Sequence, residues 1–509
     1  MQKARVSVAV AMIAMLLCPL PGMAQSTAER ISTATPVKHV VVIFDENNSF
    51  DHYFGAYPVA ANSPGEPRFE ALPGTPTING LTSTLIANNP DAILNGAQAP
   101  FRLDRSQNVT CDNDNHYTDE QKAYNGGLLN QFAALLSAPT SATCTIPWLS
   151  MGYYDGNTVT ALWNYAQHFA MSDNFFASNF GTTVMGHLNL IAGQTHGATT
   201  GATPPTNSIA GKVINGSVIV NVDPIFDDCA TGAASTLIQM NTPNIGTLLN
   251  AKGVSWGWFY GDWTPTSVTN GVATCSSEYD SHYAPFQYYA ATANPHHLTP
   301  TSPKMIGQTD RANHQYAITD FWNAVDNGNM PAVTFLKPPH LQNGHPADSS
   351  PLAEQTFLVD TINRLMLTPE WKDTAIFITY DDSDGWYDHV MPPIVNPSSD
   401  SANDALLGST GLCGTPAPGA FQDRCGYGPR LPLLLLSPFA RQNFVSHTLA
   451  DQSSILRFIE DNWNTGQIGG QSFDAIAGSL LNMFDFQGQG FQFLDRRLIL
   501  NDSTGEVIF

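Results

Sequence analysis

Positive charge is scarce in this sequence. Lys and Arg number 21 against 43 Asp and Glu, for a formal net charge of −22. A chain with no basic stripe cannot displace the counterions of DNA or RNA, so nucleic acid is excluded as a specific partner. The same balance disfavours long-range attraction to anionic lipid. Charge of either sign is sparse, at 13 %, while hydrophobic residues make up 42 %. That composition excludes a disordered chain and is ample for a core. No Cys-x-x-Cys pair occurs among the seven cysteines, which argues against a zinc cage. No internal repeat is present. Beyond the N-terminal segment, no apolar run is long enough to cross a bilayer.

The N-terminal segment itself reads as a processing signal. Lys3 and Arg5 form a positive start, residues 6–20 are mostly apolar, and Gly22 and Ala24 suit cleavage before Gln25. Residues 1–24 are therefore expected to be a leader, which predicts a periplasmic or secreted protein with no integral membrane segment after cleavage. Cys18 leaves with it. Six cysteines remain, an even number in an oxidising compartment, which favours disulfides. Chain order suggests 111–144, 229–275 and 413–425, out of 15 possible pairings.

The apolar pattern predicts an α/β fold. Residues 39–44 (HVVVIF), 331–336, 375–380 and 431–438 read as buried strands, and 254–260 (VSWGWFY) as another. Residues 158–170 form a helix with Leu162, Tyr165, Ala166 and Phe169 on one face. A second runs over 242–253, from a Thr-Pro entry to Gly253, and a third over 451–463 with Asp451 as its cap. Continuous apolar strands separated by helices imply a mostly parallel sheet with helices on both faces. Ligands of such sheets bind beyond the carboxyl ends of the strands. Long stretches rich in Pro, Gly, Thr, Asn and Ser interrupt this frame at 57–110, 197–241, 262–330 and 393–428. Loops of that length are usually functional. We expect one domain over 25–509, with the insertions at 57–150 and 262–330 forming a smaller loop-rich lid. The tail, 497–509, reads as a hairpin around Ser503, Thr504 and Gly505.

Two strand ends carry unusual chemistry. The first runs into Asp45, Glu46 and Asn47, and the second into Asp381 and Asp382. Turn formation would explain an Asp or an Asn but does not ask for Glu. In a parallel sheet both clusters lie on one edge and can converge. Their side chains offer oxygen ligands only, which suits a hard divalent cation of the Ca²⁺ or Mg²⁺ kind. A third stretch, 172–193, holds Thr182 and Thr183 in a Gly-bounded turn before an apolar run. A hydroxyl there could attack phosphorus or carbonyl carbon if a metal lowers its pKa. Histidines His116, His282, His345 and His389 all sit in polar loops, where they could bind a phosphate oxygen or protonate a leaving alcohol.

At this point the chain resembles the bacterial phosphoesterase family that contains phospholipases C and acid phosphatase A. The opening block HVVVIFDENNSFDHYFG carries the likeness, with Asn48 where the family usually has Arg. ITYDDSDGWYDHVMPP, HPADSSPLAEQ, SHYAPFQYY and the block from GPRLPLLLLSP to FIEDNW follow in the family's order, spanning about 38–465. The resemblance implies an alkaline-phosphatase-like α/β fold and hydrolysis of phosphate esters. It implies that Glu46, Asn47, Asp381 and Asp382 hold a divalent metal, that His116, His282 and His345 contact phosphate or move protons, and that Thr183 is the nucleophile. GHLNLIAG resembles the acid-phosphatase branch more than the phospholipase branch, so hydrolysis of monoesters through a phosphoenzyme is expected first. A phospholipase C acting on phosphodiesters is the alternative, and a non-catalytic exported metal-binding or adhesive protein the third reading. An unperturbed His titrates near ~6.5, which predicts an optimum on the acidic side.

Overall fold

The computed structural model describes residues 27–408, 411–487 and 496–508, so the leader expected at 1–24 lies outside the described residues. Eight strands form the central sheet: β1 (His39–Asp45), β2 (Ala170–Ser172), β3 (Trp256–Tyr260), β4 (Gln315–Ala317), β5 (Val333–Lys337), β6 (Thr374–Tyr380), β7 (Leu433–Leu436) and β8 (Phe444–Ser446). Their spatial order is β4-β3-β5-β1-β6-β7-β2-β8. Every neighbouring pair is parallel except those made by β7, which runs antiparallel to both β6 and β2. The apolar run of residues 431–438 gave no sign of that reversal, because a strand buried on both faces reads the same in either direction.

β1 lies at the centre, flanked by β5 and β6, and all seven of its residues are buried. Two sets of helices cover the sheet. On one face α4 (Thr183–Ala192) packs on α8 (Gln452–Trp463), and both meet α5 (Ile245–Lys252). On the other, α3 (Thr160–His168) meets α7 (Pro351–Met366); α1 (Phe50–Phe54) follows β1 and α6 (Ile318–Asp326) follows β4. Local chemistry fixes the helix ends. Asp451 caps α8 as expected, with its carboxylate accepting from Ser453 N–H. The cap of α5 is Asn244, not the Thr-Pro pair before it, because the Asn side chain accepts from Thr247 N–H. Gly253 closes that helix at φ +66°, a left-handed turn that glycine adopts without a Cβ clash.

Residues 57–150 divide between two clusters: Tyr57, Phe69, Leu103 and Leu149 pack in the main core, and part of the segment surrounds a smaller one. That part includes α2 (Tyr117–Tyr124) and the short helices Pro90–Asn95 and Phe132–Leu135, around an apolar cluster of Tyr124, Phe132, Leu136 and Phe180. The three disulfides are Cys111–Cys144, Cys229–Cys275 and Cys413–Cys425, the chain-order pairing. At the tail, Leu500 and Val507 bridge antiparallel, and Asn501 N–H donates to Glu506 O at 2.8 Å, around the expected turn.

Candidate active site

The carboxyl edge of the central strands builds the site. In the β1–β6 register Asp45 lies opposite Tyr380, so Glu46 and Asp381 leave the sheet side by side. Asn47 turns back at φ +57°, a left-handed conformation that Asn tolerates better than most residues. Its N–H donates to Asp381 Oδ1 at 2.9 Å. Asn48 Nδ2 donates to Glu46 O at 2.8 Å and braces the same turn. β5 ends in Lys337, fully buried, which pairs with Glu46 Oε1 and lies over the Tyr283 ring.

Helix α4 delivers the hydroxyl. Thr183 is its first residue and is buried, with Oγ1 donating toward Asp382 Oδ2 at 3.5 Å. Thr182 points elsewhere, to Asn221 Oδ1 at 2.8 Å. The helix comes close because residue 186 is glycine: a Cβ there would collide with the carbonyl of Asp381. One turn after Thr183, His187 is fully buried, its Nδ1 bonded to Thr183 O at 2.9 Å and its Nε2 3.8 Å from Glu46 Oε1. Burial drives the His187 pKa down to about 3, helped by the charge of Lys337, so the ring is neutral.

The remaining predicted residues surround this core. Asn47 Nδ2 lies 3.1 Å from His345 Nε2 and donates to Asp384 Oδ1 at 3.1 Å. Asp382 Oδ1 accepts from Asn115 Nδ2 at 2.9 Å and from Asp384 N–H at 2.7 Å. His116, next in sequence to Asn115, is at the rim, exposed and paired with Asp114 at 2.6 Å. That hydrogen bond raises its pKa. His282 reaches the site's border through Tyr283, whose ring stacks on His187. Its Nδ1 is 2.5 Å from Asp280 and 3.7 Å from Asp223. Burial opposes its charge, but the two carboxylates prevail and lift its pKa to about 9.

Electrostatically the edge is incomplete. Glu46 Oε2, Asn47 Oδ1 and Asp381 Oδ2 are buried and make no hydrogen bond, and neither does His187 Nε2. Among the described residues, Lys337 is the ammonium set against Glu46 and Asp381. Burial pushes the Glu46 and Asp382 carboxyls well above their usual range, with the charge of Asp381 adding to both. Buried acceptor oxygens without donors are costly, and their common remedy is a cation. The ligand atoms that lie within 4.8 Å of one another belong to Glu46, His187 and Asp381, two carboxylates and an imidazole nitrogen, a set that fits a divalent cation, while Asn47 and Asp382 are outside that group.

Four contributors escaped sequence reasoning: His187, Lys337, Asn115 and Glu120. Glu120, on α2, accepts from Gly181 N–H at 2.9 Å and from Ser383 Oγ at 2.5 Å, tying the two active loops together. Lys337 left a readable trace, since a lysine ending a buried strand needs a counter-charge. His187 left one too, at i+4 from Thr183 on the same helix face.

The model of the Phosphoesterase family matches residues 37–466. Phospholipase C A of Mycobacterium tuberculosis is 24% identical over 468 residues, covering 89% of this chain and 78% of that protein. A non-hemolytic phospholipase C of Pseudomonas aeruginosa is 25% identical over 461 residues, covering 88% of this chain and 57% of that one. Among solved structures, murine ectonucleotide pyrophosphatase/phosphodiesterase 5 is 10% identical and covers 64% of this chain and 95% of its own, with a TM-score of 0.32.

Proposed function

This chain belongs to the Phosphoesterase family and is a hydrolase of phosphoric ester bonds, and on that premise we propose that it cleaves phosphate monoesters through the hydroxyl of Thr183. The observation that carries the reading is the placement of Thr183 Oγ1 3.5 Å from Asp382, at the first turn of a ten-residue helix. A helix N-terminus favours the negative charge that develops there. Glu46, Asn47, Asp381 and Asp382 would hold a Ca²⁺- or Mg²⁺-like cation, which would supply the Lewis acidity to lower the hydroxyl's pKa and offset phosphoryl charge.

The chain's own groups account for the rest. Thr183 gives its proton to Asp382 Oδ2 as Oγ1 bonds to phosphorus, the ester P–O bond breaks, and the leaving alcohol takes a proton from a histidine; in the hydrolytic half the attacking water returns a proton to that histidine and Asp382 returns its proton to Thr183. His282, lifted to about 9, is cationic at neutral pH, and the Asp114 hydrogen bond raises His116 in the same direction; both are suited to that transfer or to holding phosphate oxygens. His345 reaches the site through Asn47. Water then cleaves the phosphothreonine, releasing phosphate and restoring Thr183. Lys337 holds Glu46 in place. A cationic His282 beside the site matches the dianion of a terminal phosphate better than the monoanion of a diester. Residues 57–150 and 262–330 act as a lid: they contribute Asn115 and His116 from one side and His282 from the other. The N-terminal motif and three disulfides support export to the periplasm or beyond.

A second reading, a phospholipase C, is favoured by one feature besides the named relatives. Segments 123–154 and 405–422 contain no charged residue, and they expose Leu128, Leu135, Leu407 and Leu412 next to the loop of Asp114 and His116. Hydrolysis of p-nitrophenyl phosphate against its phosphorylcholine ester decides. A kcat/KM ratio favouring the monoester supports the first reading, and the reverse ratio replaces it with the second.

A further inference from the structure

The irregular stretch 197–241 sends one side chain to the nucleophile's turn. Asn221, half-buried, accepts twice through Oδ1, from the Thr182 hydroxyl at 2.8 Å and from Val184 N–H at 3.0 Å. Its partners are the two neighbours of Thr183. Thr182 has the extended backbone of a helix cap, φ −82° and ψ 177°, yet its own side chain caps no N–H of α4. Asn221 takes that place from outside the helix. It satisfies the N–H of the second helical residue and spends the Thr182 hydroxyl as a donor. Asn221 is itself anchored through the residues after it. Val222 O accepts from the Tyr288 hydroxyl at 2.5 Å, and Asp223 O from Ile238 N–H at 3.0 Å. Asp223 Oδ2 accepts from the Thr231 hydroxyl at 2.8 Å and from its N–H at 3.1 Å, while Oδ1 lies 3.7 Å from His282 Nδ1. Residues 221–223 therefore form a fixed bar between the turn of Thr183 and His282.

A cap threonine ordinarily turns its hydroxyl to the open N–H groups of its own helix. Without an acceptor at 221, Thr182 is free to do so, Val184 N–H loses its partner, and residues 182–184 can relax together. We infer that Asn221 is a positioning residue for the nucleophile: it clamps residues 182 and 184, fixes the backbone of Thr183 between them, and so aims the Thr183 hydroxyl at Asp382 while the Thr182 hydroxyl is taken out of use. The inference rests on Thr183 being the nucleophile. Other ties hold the same turn from either end, Gly181 N–H on Glu120 and Gly186 against the Asp381 carbonyl, so the clamp supplies the one hold that acts on both neighbours of the reacting residue. It gives the 197–241 stretch a part in the reaction without contact to substrate.

The test compares full-length Asn221→Leu, Asn221→Ala and Asn221→Asp with wild type and Thr183→Val. The substrate is the better of p-nitrophenyl phosphate and its phosphorylcholine ester, and kcat, KM and Tm are measured together. Asn221→Leu keeps the shape but accepts nothing, so kcat should fall roughly 10²-fold with KM little changed, the cost of a nucleophile misplaced by about 1 Å. Asn221→Ala should do the same, and it keeps the test open if leucine does not fit. Asn221→Asp offers oxygen to the same two donors and should recover kcat by about tenfold over the other two, while its charge raises KM. A role in folding alone would move Tm without setting that order of kcat. Near-wild-type kcat in Asn221→Leu or Asn221→Ala would overturn the inference, and so would an Asn221→Asp protein no faster than they are. Thr183→Val reports on the underlying reading separately. If it turns over normally, the nucleophile is misassigned and the clamp falls with it. An inactive Thr183→Val beside a fast Asn221→Leu removes the clamp alone.

Discussion

The two acidic segments, 45–55 and 381–389, each serve two regions that differ in one respect. Their first halves supply Glu46, Asn47, Asp381 and Asp382 to the active edge. Their second halves supply Asp51, Asp388 and His389 to a network around Arg430. In the network every charge is answered. Arg430 meets Asp51 at 3.0 Å and Asp388 at 3.0 Å, and His389 meets Asp51 at 2.6 Å. At the edge, a few residues earlier in each segment, five buried acceptor oxygens are unanswered, both of Asp45 and one each of Glu46, Asn47 and Asp381. The same residue types thus do opposite work. A buried acid whose hydrogen bonds close on themselves holds the loops together, and one left open is poised for something the chain does not itself contain.

Substitutions can separate the two regions. The largest effect should come from Thr183→Val, which keeps shape and fold but removes the nucleophile. Turnover of p-nitrophenyl phosphate should fall by roughly 10⁴-fold or more, with Tm unchanged. Thr182→Val, whose hydroxyl serves Asn221, should lose far less. Next is Arg430→Met, aimed at the closed network. It strands Asp51 and Asp388 without their cation and should cost about 3–5 kcal/mol in denaturant unfolding. Asp382→Asn, aimed at the open edge, should abolish activity and leave stability in chelator undiminished, because it relieves repulsion with Asp381. If Arg430→Met unfolds no more easily than Asp382→Asn, the distinction between the regions fails.

A smaller effect tests the approach of α4. Gly186→Ala must push the helix off the Asp381 carbonyl, and a displacement of that size at a nucleophile costs on the order of 10²-fold in kcat. An unchanged kcat would mean the helix has room that the structure denies it. The smallest effect is in pH. His282 is lifted to about 9, so its cation persists through neutrality and is lost as pH rises through about 9. The alkaline limb of kcat/KM should therefore lie near 9, well above the limb that an unperturbed histidine predicts. Asp280→Asn removes the largest of the interactions that raise it and should move the limb down by about one unit. The linked stability has the same sign: it is full below the unfolded value of ~6.5 and lost as pH rises toward 9, and His282→Gln should flatten that slope.

Much of this edge was legible in the sequence because it is encoded locally. A strand that ends in Glu-Asn or Asp-Asp announces itself within ten residues, and β1 and β6 ended where the apolar runs ended. The cysteine pairs also closed in chain order, over short separations. The direction of β7 was not legible, since Leu433–Leu436 offers no alternation to read. Nor were the long-range partners. Lys337 finds Glu46 across 291 residues and Asn115 finds Asp382 across 267. Such contacts depend on how the sheet is ordered, which no window of sequence contains. The partners of His116 and His282 are mostly local, Asp114 and Asp280 each two residues away; only Asp223 reaches His282 from a distant segment.

The most direct test of the central claim is to find where phosphate becomes attached. The enzyme is mixed with ³²P-labelled substrate, quenched in acid within the first turnover, digested, and the labelled peptide sequenced. The account predicts phosphothreonine at residue 183, in the peptide that spans 181–186, and no label in Thr183→Val. Label on Thr182, on a histidine, or retained in Thr183→Val would contradict it.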